Sequence, residues 1–269
     1  MVDDPHQVRF EFQLKEATEL RAFAYSVVVG KHDGNFERKD YIALGMFARC
    51  LQIHEATEAV IRKSLVDDGL VLVRALVEHA VNAVYMLAIA DAQTADAFAD
   101  YGDYLAYTQL LDLKTVDPDL MKVKVPAEEE EKSRLRYEAV RGKFDGKRGD
   151  KWCDDDALYK RAARLDYTLR KPDVGSEWRL LVNAVWRHAS TYTHGTARAL
   201  APQMAQEGEV TTFHRKYSYK EAEPVLQSAN TSIYLALLPI AVRLGAKNVA
   251  EVHERFARWT KAMMDMPRA

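Results

Sequence analysis

The sequence predicts an all-α protein, an irregular bundle of about eight or nine helices, and three observations predict it. Apolar residues recur at three- and four-residue spacing along most of the chain, and no convincing run alternates apolar with polar. The 269 residues include only 12 Gly and 8 Pro, too few for the turns that a sandwich or barrel needs. The breaks between periodic segments carry helix stop and start signals, such as Gly30 with the turn-rich HDGN, Asp67-Asp68-Gly69 and Lys171-Pro172.

In chain order, Val8 to Val29 reads as a first amphipathic helix and Glu37 to Val66 as a long second one. Asp67-Asp68-Gly69 is expected to break it, with Asp68 capping a third helix from Leu70 to Ala90. Thr94 to Val116 follows, with Tyr101, Tyr104 and Thr108 along one face. Pro118 and Pro126 bracket a loop. Ala127 to Phe144 places acids in its first turn and bases later, as the helix dipole favours, and reads as a solvated helix. FDGKRGDKWCDDD is the expected mobile loop or linker. Asp156 to Arg170 is a short helix, Glu177 starts the next, and Gly195 ends it. Any strand is expected between Ala201 and Tyr217; Tyr219 to Gly245 and Asn248 to Met264 close the chain as helices. One domain over residues 1–269 is expected, with a charged excursion at about 127–155.

Composition narrows the function classes. A formal net charge of −2 supplies no global attraction to nucleic acid or anionic lipid, so RNA binding would need a local basic patch. Two cysteines, Cys50 and Cys153, exclude a disulfide framework or a Cys-based zinc site and fit a reducing, cytoplasmic compartment. The start MVDDPHQVRFEF lacks the basic-then-apolar order of a signal peptide. Gly69 to Ala90 is long enough to span a bilayer, but Arg74, Glu78 and His79 near its middle would be costly in lipid. It reads as a buried core helix, with no membrane partner.

Three helices each carry one polar stripe. At 100° per residue, Arg74, Glu78, Asn82 and Tyr85 share about an 80° arc of a helix otherwise built from Val, Leu, Ala and Met. In WRHASTYTHG, Arg187, Ser190, Thr191 and His194 share a face, flanked by Leu180, Leu181, Val185 and Ala189. Gln227, Asn230, Thr231 and Tyr234 form the third stripe. Buried polar groups need partners, so the simplest arrangement has the stripes converge on one pocket. That pocket would be either a closed network fixing helix register or a ligand site, with Arg74, Glu78, Asn82, Ser190 and Asn230 as binding residues. Arg74 and Glu78 are expected to pair, so that Glu78→Ala would cost about 3–5 kcal/mol by stranding a buried guanidinium. His194 is expected within hydrogen-bonding reach of Glu78, Arg74 or Asn82, directly or through one water.

Metal and cofactor chemistry find little support. His54-Glu55-x-x-Glu58 and Glu78-His79 lack the Glu-x-x-His spacing of carboxylate bundles, and Glu55, Glu58 and Arg62 read as a salt-bridged helix face. There is no Gly-rich phosphate loop, Gly-x-Ser-x-Gly elbow or zinc signature, so no metal and no cofactor is expected.

Two stretches carry a resemblance. ARCLQIHEATEAVIRKSLVDDGLVLVRALVEHAVNAVYML resembles the first half of a bacterial all-helical family known as domain of unknown function 5677, in which an Arg…Glu pair with a nearby Asn matches Arg74, Glu78 and Asn82. KWCDDDALYKRAARLDY through WRLLVNAVWRHASTYTHG resembles the family's later segment, with Ser190 and His194 at its Ser…His-Gly element. Together they span roughly Phe47 to Gly195, and the family brings no established activity. Arg187 and His188, with six residues between Arg187 and His194, also resemble the mark of HEPN domains, helical proteins that include metal-independent ribonucleases. That resemblance implies His194 as general acid/base on an RNA 2′-OH, Arg187 on the phosphate, and a site assembled across a homodimer. Two functions therefore stand at this stage: a helical ligand-binding or interaction protein whose partner is a small molecule, and a HEPN-like ribonuclease of the toxin or phage-defence kind acting on RNA.

Overall fold

A computed structural model describes residues 4–29, 34–116, 125–146, 152–169, 177–193, 204–207, 210–213 and 218–266. The helices are α1 (Pro5–Val28), α2 (Arg38–Arg62), α3 (Val66–Ala88), α4 (Ala92–Val116), α5 (Ala127–Phe144), α6 (Leu158–Thr168), α7 (Glu177–Leu180), α8 (Arg187–Thr193), α9 (Tyr219–Arg243) and α10 (Val249–Asp265). A π-helical segment, Leu181–Trp186, joins α7 to α8 into one continuous rod. Counting that rod once, the described residues form nine helices, an all-α bundle. The only described strands are β1 (Met204–Glu207) and β2 (Val210–Phe213), an antiparallel hairpin within the span where the sequence allows one.

The break between α2 and α3 lies earlier than the sequence suggests. Ser64 takes a left-handed conformation (φ 63°), and its N–H bonds Ile61 O at 2.9 Å while Leu65 N–H bonds Val60 O at 3.0 Å. This is the paired helix-end motif that usually uses Gly at the left-handed position. Asp67 and Asp68 therefore sit in the first turn of α3, where the dipole favours acids, and neither caps it. Gly69 lies inside the helix because a Cβ there would stand 2.6 Å from Ile61 Cδ1. It is a packing glycine, not a breaker.

α3 is the hub. It packs against α2, α9, α6, the π-segment and α8, while α9 lies across α1, α3 and α2 and carries α10. α3 and α9 are long and apolar enough to cross a membrane by length and composition, yet both lie inside the bundle, with Val77, Ala80, Val81, Ile233 and Leu237 wholly buried. The end of α9 is clamped to the start of α2: Arg243 Nε donates to Asp40 Oδ1 at 2.8 Å, and Asp40 is fully buried within the capping box of α2.

The charged region splits in two. α5 is solvated as expected, and it leans on α4 through stacked tyrosines, Tyr104 over Tyr137 with ring centroids 5.6 Å apart. The tract after it is not a free linker over its described part. Trp152 is buried edge-on against Tyr85 and Phe98, Arg161 lies over its ring at 5.1 Å, and Asp155 accepts from Tyr85 Oη at 2.8 Å. A large aromatic beside a polar run has more to gain from burial than the run has to lose.

Candidate functional site

Two of the three polar stripes meet; the third turns away. On α3, Arg74 Nε donates to Ser190 Oγ at 3.0 Å, and the guanidinium lies 4.8 Å from the Trp186 ring centroid. One turn on, Glu78 Oε2 accepts from Trp186 Nε1 at 3.3 Å. A further turn on, Asn82 Oδ1 is buried with no partner among the described residues. Arg74, Glu78 and Asn82 are half-buried, not sealed. The π-segment ends on Trp186, delivering the indole between the two charged side chains; single π-turns of this kind recur at functional sites.

The expected Arg74–Glu78 pair is absent among the described residues. Each side chain is anchored across the helix interface instead, Arg74 to Ser190 and Trp186, Glu78 to Trp186. Arg before Glu is the weaker order for an i,i+4 pair, which helps the anchors win. The consequence expected of Glu78→Ala, a stranded buried cation, therefore lapses. Ser190 is spent: its hydroxyl accepts from Arg74 and donates to Trp186 O at 2.7 Å, so it positions Arg74 and has little left for a ligand. Trp186, which sequence reasoning passed over, is the residue both charges lean on.

Arg187 does not join this cluster. It is exposed, with its guanidinium 5.9 Å from the Tyr159 ring centroid. His194 and Gly195 lie outside the described residues, and with them the expected contact between His194 and α3.

The third stripe, with Asn230, builds a different network. α9 presents Asn230 to α1 and α2, away from the π-segment. His54 Nε2 lies 2.9 Å from Asn230 Oδ1, and Asn230 Nδ2 donates to Gln13 O at 3.0 Å and to Gln13 Oε1 at 2.7 Å. Gln13 Oε1 also accepts from Trp259 Nε1 at 3.3 Å, and Gln13 Nε2 donates to Met263 Sδ at 2.7 Å. At the other end, Arg21 Nη1 sits 3.4 Å from His54 Nδ1 and 2.7 Å from Glu58 Oε2. Arg can only donate, so His54 Nδ1 accepts and Nε2 carries the hydrogen to Asn230. Glu58 collects Thr18, Arg21 and Arg62; of the expected face of Glu55, Glu58 and Arg62 the Glu58–Arg62 pair forms, now tied to α1, while Glu55 stands exposed. Tyr234 also faces α1, bonding Glu16. Burial first, and Arg21 after it, pull His54 down to about 4 against the pull of Asn230, so the imidazole is neutral at pH 7. Burial raises the Glu58 carboxyl, but Arg62, Arg21 and Thr18 together outweigh it and hold it below its ordinary value. Each buried amide and imidazole atom of Gln13, His54 and Asn230 has a partner. It is a closed network.

A profile of the family of unknown function DUF5677 matches residues 40–209. The chain belongs to that family. The DUF5677 match takes in Arg74, Glu78, Asn82, Trp186 and Ser190 but leaves out α1 and α9, so the groove lies wholly inside it, while the closed network depends on Gln13, Arg21 and Asn230 outside it. No curated protein and no solved structure matches the chain.

Among the described residues, no cluster of His, Cys, Asp or Glu has the arrangement to hold a metal ion. An open cleft of about 1180 Å³ does exist, but elsewhere, between α1, α7, α9 and α10. Part of its charge is paired: Arg9 Nε donates to Glu223 Oε1 at 2.7 Å and Lys261 Nζ to Asp265 Oδ2 at 2.7 Å.

Proposed function

We propose that this DUF5677 chain is a ligand-binding protein, acting in the cytoplasm, whose site is the groove between α3 and the α7–π–α8 rod. The observation that carries this is the state of Arg74. Its Nε is bonded to Ser190 and its plane rests on Trp186, while neither Nη group has a partner among the described residues. A half-buried guanidinium fixed in orientation, with two donors unspent, is a receptor for a carboxylate or phosphate. Glu78 Oε1 and the partnerless Asn82 Oδ1 add acceptors further along the same face. Buried polar atoms seldom go unpaired in a finished core, so this acceptor calls for a partner, water or ligand, from outside the described residues.

The test is binding of a small anion by the full chain. Isothermal titration with inorganic phosphate and with acetate should show saturable binding at one site, lost in Arg74→Ala while the thermal midpoint stays within a few degrees. Binding that persists in Arg74→Ala, or no binding of either anion or of any small carboxylate that also carries an ammonium group, would sink the reading.

A second reading, a HEPN-like metal-independent ribonuclease using Arg187 and His194, is favoured by one feature: Arg187 is exposed, as a phosphate contact must be. Labelled RNA incubated without metal should then be cleaved by the wild type and spared by His194→Ala and by Arg187→Ala. RNA left equally intact by all three proteins removes the enzyme.

A further inference from the structure

We infer that the ligand of the α3 groove is a zwitterion carrying a carboxylate and an ammonium group a few ångströms apart, the class of free α-amino acids; this rests on the groove being the binding site. Arg74 and Glu78 stand at i,i+4, about 5–6 Å apart at Cβ, where opposite charges on one helix face ordinarily close on each other. Here they do not pair. Arg74 is held by Ser190 and Glu78 by Trp186, so the ion pair is propped open by the facing rod.

An open pair of half-buried charges is costly when empty, because each has shed part of its water without gaining a counter-charge. A single anion on Arg74 would leave Glu78 uncompensated and add a like charge beside it. A single cation on Glu78 would do the converse to Arg74. A zwitterion satisfies both at once: its carboxylate accepts from the two Nη groups, and its ammonium donates to Glu78 Oε1. Asn82, one turn beyond Glu78, is half-buried on the same face, and its Oδ1, sealed and without a partner among the described residues, meets an ammonium hydrogen once the amide turns outward. The three acceptor and donor groups thus follow the charge order of the ligand along one helix face. Trp186 lies between the charged ends, an aromatic surface against which an apolar or planar side chain could rest.

The experiment titrates the full chain with each of the twenty L-amino acids, read by thermal shift and then by calorimetry for those that raise the midpoint. Each amino acid that binds is repeated as its N-acetyl derivative and as its C-terminal amide, with acetate and inorganic phosphate run alongside. At least one free amino acid should bind. Blocking either end should weaken it tenfold or more, and Glu78→Gln and Arg74→Ala should each do the same. Binding that survives N-acetylation overturns the zwitterion. So does a protein that binds acetate or phosphate through Arg74 but no amino acid better than acetate; in that case the anion site stands and only its ligand class falls. If neither anions nor amino acids bind, the site and its ligand class fall together.

Discussion

The bundle holds two polar constellations of similar chemistry and opposite condition. Around Asn230 a buried amide, imidazole and second amide pass hydrogen bonds in one direction, from Arg21 through His54 and Asn230 to Gln13, with Trp259 also donating to Gln13. Around Arg74 the side chains are half-buried, an i,i+4 pair is propped apart and an amide oxygen has no partner. The first resembles a solved puzzle and the second one with a piece missing. Buried polar groups stabilise only when all are satisfied, so the closed set belongs to folding. The open set is tolerated because its two charged members, Arg74 and Glu78, keep some water, and what it lacks in satisfaction it offers to a ligand.

The largest expected effect breaks the closed set. Asn230→Ala strands the Nε2–H of His54 and removes one of the two side-chain donors to Gln13 Oε1, leaving Trp259 as the other. The cost should be about 3 kcal/mol, since a stranded buried group costs about 1–3 kcal/mol and the truncated amide leaves a cavity besides. Urea unfolding that showed less than about 1 kcal/mol would mean the network carries no strain of its own and the comparison is empty.

Next in size is a pH effect confined to the same set. His54 binds its proton near its ordinary value of 6.5 when unfolded and only near 4 when folded. A depressed histidine makes the unfolded chain the better proton acceptor, so its contribution is fully present above pH 6.5 and lost as pH falls toward 4. The whole effect is about 3 kcal/mol, at about 1.4 kcal/mol for each pH unit between the two values. Glu58, held below its ordinary value near 4.5, loses its share only as pH falls further, through the folded value. Between pH 6.5 and 4.5 the wild type should lose stability more steeply than His54→Gln, measured by denaturant midpoints. Equal slopes would show that His54 is not sealed as neutral imidazole.

Part of this contrast was legible in the sequence. A stripe of polar residues on a helix otherwise made of Val, Leu and Ala can be read from periodicity alone, and so can its partner in WRHASTYTHG. Periodicity fixes which residues share a face but not where that face points. The third stripe, on α9, was expected in the same pocket, yet α9 lies across α1 as well as α3, and Asn230 went to the α1 side. Nor could spacing show that Arg74 and Glu78 stay apart, because that depends on where Trp186 arrives. Its arrival depends on the π-helical turn between Leu181 and Trp186, and LVNAVW carries no Gly or Pro to announce one. Trp152 illustrates the same limit from the other side: within a charged tract, one aromatic decided the packing.

A smaller effect separates an ion pair from a propped one. Had Glu78 been neutralising a buried Arg74, Glu78→Ala would cost about 3–5 kcal/mol. With Glu78 half-buried and bonded only to an indole N–H at 3.3 Å, the cost should be near 1 kcal/mol, the worth of one ordinary hydrogen bond. A loss above about 3 kcal/mol by thermal or urea unfolding would restore the paired reading and with it the view that the stripe is core.

The smallest effect has the opposite sign, and that is its use. Asn82 Oδ1 is buried and unbonded, so in the empty protein its amide contributes desolvation cost without a compensating bond. Asn82→Leu keeps a similar shape, removes the stranded acceptor, and suits a helix whose neighbouring positions, Val81, Ala83 and Val84, are buried. Stability should stay level or rise, by about 0.5 kcal/mol, the low end of what one hydrogen-bonding group is worth. The same substitution at Asn230 should cost several times that. Binding in the groove should move the other way, weakening when the acceptor beyond Glu78 is gone. A residue that destabilises the empty fold and strengthens a complex is held for the complex. If Asn82→Leu instead lost 2 kcal/mol or more in urea unfolding, Asn82 would be serving the fold, and the groove on α3 would be a second closed network rather than an open one.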